Sequence, residues 1–389
     1  MAVVRFEPRL DVLKWAIMSS GRPVNELNEK YPKISEWLDQ SSAPTINQIE
    51  SLSNYLRIPM GYFFLRNVPE EKLPLLQFRT IGSLEEDGAS RELLDIISDM
   101  ETQQEWMRGH LLSHGAESLL IVGSLKNNNS DGACVDYIRK SIGIDLRWAE
   151  HCASKREAYN YIREKISASG IIVMQNGVVR HNTHRPLNLD EFRAFTLIDD
   201  IAPLIFINST DAEAGKIFSL LHELAHVYMG VSSIYNDNSY DQRVYSEYNN
   251  IEKACNAIAA ELYVPSESFL KAWNNTEFPN KTETIKSLAT HFKCSNIVIA
   301  RRALDHNKIS KQVYQEIATE TKRNFYIKKD SSGGNFNYTA ATKYDKNFIN
   351  ALVSSVQNGA SSYTEAFNLT HLNRVTFDNL ARLVAGNSL

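Results

Sequence analysis

The spacing of apolar residues predicts that most of this chain is helical. From residue 7 to about residue 65, apolar positions recur at helical spacing in short runs, and glycine or proline separates one run from the next. Pro44-Thr45 before Ile46 is typical of a helix start. Further helices are predicted over residues 91–114, 136–142, 155–166, 251–264, 284–295 and 296–305, and near 348–356, 363–367 and 375–383.

Continuous apolar runs predict a small sheet in the middle of the chain. Residues 170–174, 194–198 and 203–208 have the composition of buried strands, and residues 117–122 are predicted as a further short strand. The last of the three runs leads to Thr210-Asp211-Ala212-Glu213, which is typical of a capping box at a helix start. We therefore expect an α+β protein that is mostly α-helical, with a small β-sheet against this helix.

The helix that follows carries an H-E-x-x-H motif. His222 and His226 are four residues apart on one helical face, which is the spacing needed to share one metal ion. Glu223 lies beside the first histidine, where it can take a proton from an attacking water. Apolar residues surround the motif, so its polar groups should be buried, and a metal ion supplies the partner that burial requires. A surface helix with incidental histidines is the less favoured interpretation.

Two histidines do not complete a catalytic zinc site, which usually has three protein ligands. The helix predicted over residues 251–264 offers Glu252 as the third ligand. Asn256 lies four residues further on the same face, where it can hydrogen-bond a ligand histidine. Glu261 is a rival ligand near the end of this helix. Cys255 is a softer zinc ligand, but it projects away from Asn256 and is expected to be a small buried residue.

H-E-L-A-H followed by E-x-x-C-N-A-I-A-A-E-L-Y-V-P resembles the two motifs of the ImmA/IrrE family of metallo-endopeptidases. The resemblance covers the chain from about Gly170 to Lys311. Isoleucine stands at position 258, where the family usually has phenylalanine, and this difference affects packing rather than chemistry. Carried over by position, the resemblance implies zinc ligands His222, His226 and Glu252, and the general base Glu223.

In the implied mechanism, Glu223 takes a proton from the water that zinc acidifies and later gives it to the leaving amine. Mn²⁺ or Fe²⁺ could occupy such a site in place of Zn²⁺. A small sheet leaning on the active-site helix would be zincin-like. A histidine or tyrosine often stabilises the oxyanion in zinc proteases, and spacing does not choose among His181, His184, Tyr235, Tyr240 and Tyr245. His181 and His184 also have ligand spacing, but their loop is interpreted as a solvated turn.

Residues 1–80 resemble the XRE-type helix-turn-helix module that precedes the peptidase domain in many family members, and residues 44–65 carry most of this likeness. Ten Lys or Arg and nine Asp or Glu in this segment give a net charge of +1, a weak footprint for phosphate binding. The helix expected to enter the major groove, residues 34–40, has two acidic residues and no arginine. DNA binding is therefore weakly supported, and a protein-contact or packing role is favoured.

Composition excludes several classes of protein. The chain has 389 residues, a net charge of −4 and four cysteines without C-x-x-C pairing, which argues against general nucleic-acid affinity, a zinc ribbon and a disulfide framework. No signal-peptide-like start or long apolar run is present, so we expect a cytoplasmic protein without membrane contact. The predicted domains are a helix-turn-helix-like domain at 1–80, a helical middle region at 81–165, a zinc metallopeptidase domain at 166–325 and a helical C-terminal domain at 331–389, with linkers at 83–90 and 331–336.

We predict a zinc-dependent endopeptidase that cleaves a specific regulatory protein. The resemblance implies a repressor-like substrate in a bacterial or phage-type stress, mobile-element or defence system. The alternative is an antitoxin-like or transcriptional regulator that acts by DNA or protein binding, with a secondary zinc site. A purely structural zinc is less favoured, because such sites normally have four protein ligands. The sequence leaves the oligomeric state open.

Overall fold

The computed structural model describes residues 5–69, 89–126, 132–235, 247–276, 280–327 and 341–386. The protein is mostly helical with one four-stranded mixed sheet, which confirms the expected α+β class. The described residues up to Ile97 belong to one compact unit, and those from Ser98 onward belong to a second. The boundaries predicted within the second unit stay predictions, and the predicted linkers lie largely or wholly outside the described residues.

The first unit contains the short helices that the apolar pattern predicts. Thr45 caps its last α-helix as expected, because its hydroxyl accepts from the Gln48 amide at 3.2 Å while the Gln48 side chain accepts from the Thr45 amide at 2.8 Å. The supposed major-groove helix is only five residues long, and its apolar side chains Ile34 and Trp37 are buried. The helix-turn-helix assignment stays a prediction. The elements are α1 (Leu10–Ser19), α2 (Val24–Lys30), α3 (Ile34–Leu38), α4 (Ile46–Leu56) and a 3-10 helix (Met60–Phe64).

The second unit contains the sheet and the remaining helices, the first of which begins in the first unit at Arg91. Its elements are α5 (Arg91–Ser113), α6 (Gly132–Ile142), α7 (Lys155–Ala168), β1 (Ile172–Asn176), β2 (Ala194–Leu197), β3 (Leu204–Asn208), α8 (Glu213–Met229), β4 (Ser233–Tyr235), α9 (Glu247–Tyr263), α10 (Ser266–Asn274), α11 (Lys281–His291), α12 (Asn296–Asp305), α13 (Lys311–Ile327), α14 (Lys346–Gln357), α15 (Tyr363–Thr370) and α16 (Arg374–Gly386).

The sheet has the strand order β1-β3-β2-β4. β1 and β3 are parallel, whereas β2 runs antiparallel to both β3 and β4. α8 packs against α7, α9 and strands β2, β3 and β4, so it lies at the centre of the second unit. This position explains why nearly every side chain of α8 is buried. β4 is only three residues long, and the apolar pattern did not predict it.

The C-terminal segment and α7 together satisfy the outer backbone groups of Val173 on the edge strand β1. The buried Asp345 carboxylate accepts a hydrogen bond from the Val173 amide at 3.1 Å, and Arg163 donates to the Val173 carbonyl at 2.8 Å. Edge strands leave such groups unpaired unless side chains or other segments cover them. The residues that precede α14 are therefore an integral part of the packing around the sheet.

Two local predictions are wrong. Residues 117–122 form an irregular segment and a turn rather than a strand: the Leu119 amide donates to the Asp200 carbonyl at 2.7 Å, and the Val122 amide donates to the Leu119 carbonyl at 3.1 Å. α8 has no capping box: its N-cap is Ala212, and the Asp211 carboxylate is held by Arg193 at 2.5 Å. Within the described part of the chain, no helix combines the length and apolar character of a transmembrane span.

Candidate metal centre and active site

The H-E-x-x-H residues lie in the middle of α8 and are completely buried. His222, Glu223 and His226 each have 0% solvent exposure, although two of them are ligand-type imidazoles and one is a carboxylic acid. The Nε2 atoms of the two histidines are 3.1 Å apart, so both rings point to the same small volume. Burial of three polar groups at one point is costly unless they find partners.

Glu252 on α9 completes this cluster. One of its carboxylate oxygens lies 3.2 Å from Nε2 of His222, and the other lies 3.2 Å from Nε2 of His226. Burial alone would raise the pKa of Glu252, but the hydrogen bonds and charges of the two histidines outweigh it and lower the pKa below its ordinary value. The structure thus brings together the three side chains that the sequence predicts as ligands.

Residues of α9 also support the two histidines. Nδ1 of His222 lies 3.1 Å from Oδ1 of Asn256, and this contact requires His222 to donate from Nδ1 because the amide oxygen only accepts. In the neutral form of His222, the Nε2 atom is then the unprotonated nitrogen, as a metal ligand must be. Burial alone would lower the pKa of His226, but the neighbouring Cys255 and Glu252 raise it well above its ordinary value. Cys255 itself is completely buried.

The cluster fits a divalent metal ion. Ligand atoms of His222, His226 and Glu252 all lie within 4.8 Å of one another, which is the spacing of donors around one ion. In the neutral form of His222 with its proton on Nδ1, the Nε2 lone pair faces a carboxylate oxygen of Glu252, and a cation between them relieves that repulsion. Two imidazoles and one carboxylate also form the ligand set that catalytic zinc uses in peptidases.

Glu223 is not one of the three grouped donors, and its carboxylate contacts the sheet. Its Oε2 atom accepts hydrogen bonds from the hydroxyls of Thr196 at 2.5 Å and Ser233 at 2.6 Å. Its Oε1 atom is buried and has no hydrogen-bond partner among the described residues. Burial raises the pKa of Glu223, although the nearby histidines and the two hydroxyls act in the opposite direction. A raised pKa suits a group that takes and returns a proton near neutral pH.

The structure also places the alternatives that spacing left open. The Glu261 carboxylate is held by Arg302 at 2.5 Å and by the Ser266 hydroxyl at 2.8 Å, and it is not part of the cluster. His181 contacts the Tyr344 hydroxyl at 3.1 Å, also outside the cluster. Among the oxyanion candidates, Tyr235 is the one whose ring packs on His222, with the ring centroids 4.1 Å apart. Tyr240 and Tyr245 lie outside the described residues.

Sequence reasoning missed Thr196 and Ser233. Thr196 is the one polar residue in a strand of otherwise apolar side chains, and this is the signal that could have drawn attention to it. Ser233 lies in the short strand that the apolar pattern did not predict, so its position opposite Glu223 could not be inferred from the sequence.

Comparison with known families agrees with this geometry. Residues 173–304 match the family model Peptidase_M78, described as an IrrE N-terminal-like domain. The matched segment contains every residue of the cluster, and it points to a metallopeptidase of the ImmA/IrrE type. Residues 344–383 match a second model, described as a domain of unknown function (DUF8813). No curated protein and no solved structure matches the chain.

Proposed function

We propose that this protein is a zinc-dependent endopeptidase that cleaves a specific regulatory protein. The observation that carries the proposal is the buried convergence of His222, His226 and Glu252 beside a second acidic residue, Glu223, which is held apart from them. Three protein ligands leave a further position for a reacting group, whereas structural zinc sites are normally closed by four.

Bound at this site, zinc would polarise a peptide carbonyl and acidify a water molecule. The protein's own residues supply the proton transfers. Glu223 takes the proton from the attacking water through Oε1, its oxygen without a partner among the described residues, and passes it to the leaving amine. Asn256 keeps His222 in the tautomer whose Nε2 atom can bind the ion.

The substrate class is supported by the family match and by the chain outside the matched segment. A metallopeptidase of the ImmA/IrrE type suggests a repressor-like protein of a bacterial or phage-type stress, mobile-element or defence system as the substrate. The helical unit that precedes Ser98 gives the protein additional surface with which to recognise a folded partner. A repressor-like protein is therefore the substrate we propose.

The test compares wild-type protein with Glu223→Gln. Both proteins are purified, their metal content is measured by mass spectrometry, and each is added to a native bacterial proteome whose free amino termini have been chemically blocked. New amino termini are then sequenced. We expect about one zinc ion per chain in both proteins and new termini only with the wild type. Equal cleavage by the two proteins would refute the role of Glu223, and zinc-loaded wild type that produces no new termini would favour the regulator hypothesis.

A further inference from the structure

We infer that Thr196 and Ser233 are positioning residues that hold Glu223 by one carboxylate oxygen and leave the other available for proton transfer. The inference rests on the proposed hydrolytic function, because it concerns how the general base of that reaction is oriented. It assigns a role to two residues that belong to neither motif of the sequence.

The sheet places the two hydroxyls side by side. Thr196 on β2 and Ser233 on β4 are direct partners in the antiparallel register of these strands. Side chains of opposed residues lie on the same face of a sheet, and here that face is packed against α8. Both hydroxyls therefore reach the same acceptor, Oε2 of Glu223, at 2.5 Å and 2.6 Å.

The direction of these bonds is fixed by chemistry. An ionised carboxylate only accepts, so each hydroxyl must donate its single hydrogen to Oε2. The Thr196 hydroxyl has a second acceptor nearby, the Glu223 carbonyl oxygen, but this lies 3.4 Å away. Because a carboxylate is planar, fixing Oε2 and the helix backbone also fixes Oε1. Of the two oxygens, Oε1 is the one with no partner among the described residues.

Burial makes this arrangement specific. Thr196, Ser233 and Glu223 all have 0% solvent exposure. A buried hydroxyl without a partner is destabilising. The hydroxyls of Thr196 and Ser233 both have Oε2 of Glu223 as their acceptor, so they favour one position of the Glu223 carboxylate. Without the hydroxyls, the Glu223 side chain could rotate, and Oε1 would no longer be held in one position. The expected loss is in proton transfer rather than in metal or substrate binding.

The experiment compares Thr196→Val, which removes the hydroxyl at nearly constant shape, with Thr196→Ser, which keeps it. Ser233→Ala removes the second donor. Thr284→Val is the matched control, because Thr284 is a buried threonine on α11. Among the described residues its hydroxyl bonds only to a backbone carbonyl, that of Asn280 at 3.4 Å. Zinc content, kcat and KM are measured for each, with a peptide that contains the cleavage site found with the wild type.

We expect Thr196→Val and Ser233→Ala each to lower kcat by about 10-fold to 100-fold, the range typical of residues that support a site from outside it. KM and zinc content should stay close to the wild type. Thr196→Ser should recover most of the loss. In a Glu223→Ala background, Thr196→Val should lower the residual kcat no further, because its effect passes through Glu223.

A second readout is independent of catalysis. In metal-free protein, Thr196→Val should lower the Tm when Glu223 is present and leave it unchanged or higher in the Glu223→Ala background, where the hydroxyl has lost its acceptor. Wild-type kcat in both Thr196→Val and Ser233→Ala, or equal Tm changes in the two backgrounds, would overturn the inference while leaving the proposed function intact. Absence of cleavage by zinc-loaded wild type would overturn the proposed function and this inference together.

Discussion

Replacement of Asp345 by alanine tests whether the C-terminal segment stabilises the sheet of the second unit. The Asp345 carboxylate has 1% solvent exposure and accepts from three backbone amides. Two of these amides, those of Asn347 and Phe348, start α14, and the third belongs to Val173 on β1. One side chain thus caps a helix and also satisfies an edge strand more than 100 residues earlier in the chain.

The magnitude follows from these two roles. Loss of the helix cap costs about 1 kcal/mol, and the Val173 amide left buried without an acceptor costs about 1–3 kcal/mol more. The free energy of unfolding should therefore fall by roughly 2–4 kcal/mol, which corresponds to a Tm lowered by roughly 5–10 °C for a unit of this size. Calorimetry measures the Tm, and hydrogen exchange of the Val173 amide reports the loss of its acceptor.

Two further variants separate the cap from the strand contact. Ser362→Ala removes a more exposed cap, since the Ser362 hydroxyl accepts only from the Glu365 amide at 3.1 Å, and it should cost about 1 kcal/mol. Asp345→Asn keeps one acceptor oxygen for α14 but turns an NH₂ group toward Val173, so its cost should be intermediate. If Asp345→Ala lowers the Tm no more than Ser362→Ala and leaves Val173 exchange unchanged, the contact with β1 does not stabilise the protein.

Two other predictions concern neighbouring acidic and basic groups. Glu252→Ala should abolish zinc binding, and zinc retained by this variant would refute the role of Glu252 as a ligand. Glu261→Ala should leave the zinc content unchanged and lower the Tm, because the ion pair with Arg302 is lost. Burial and the nearby Lys343 charge lower the pKa of His181 from 6.5 to about 4. Because the folded state binds this proton more weakly than the unfolded state, the stability that His181 contributes is present above pH 6.5 and is lost as the pH falls toward 4. His181→Gln should therefore lose less Tm over that interval than the wild type, and parallel Tm curves would contradict this reasoning.

Local sequence patterns were sufficient for most of the helices and for the two histidines of the motif, although α10 and α13 were not predicted. The spacing of His222 and His226 is a property of the α-helix itself, so it needs no knowledge of the rest of the fold. The Thr45 cap is equally local, because its partner is three residues away. Thr210 and Glu213 have the same spacing, yet no capping box forms there, because the Thr210 hydroxyl donates to the Asn208 side chain at 2.7 Å and the N-cap of α8 is Ala212.

Contacts between distant segments account for what could not be predicted. The pairing of Thr196 with Ser233 depends on β4, a three-residue strand with too few side chains to show a period. Residues 117–122 have the apolar content of a strand but receive no strand partner in the structure. Glu252 was preferred to Glu261 because it shares a helical face with Asn256, and the structure agrees, since Asn256 contacts His222. The structure adds a second reason, because Glu261 is already paired with Arg302.

The two acidic residues at the centre show how one fold gives similar carboxylates different chemistry. Both Glu223 and Glu252 are buried, and burial by itself would raise the pKa of each. Hydrogen bonds from two histidines reverse this for Glu252 and lower its pKa, so it stays ionised, as a ligand must. For Glu223 burial prevails over the charges of the two histidines and the hydrogen bonds of the two hydroxyls, and its pKa is raised. Groups whose surroundings shift their pKa values in opposite directions are suited to different roles, which agrees with the metal-ligand role proposed for Glu252 and the proton-transfer role proposed for Glu223. The difference in pKa between Glu223 on α8 and Glu252 on α9 therefore comes from the groups that surround each carboxylate. The H-E-x-x-H motif alone does not specify these surroundings.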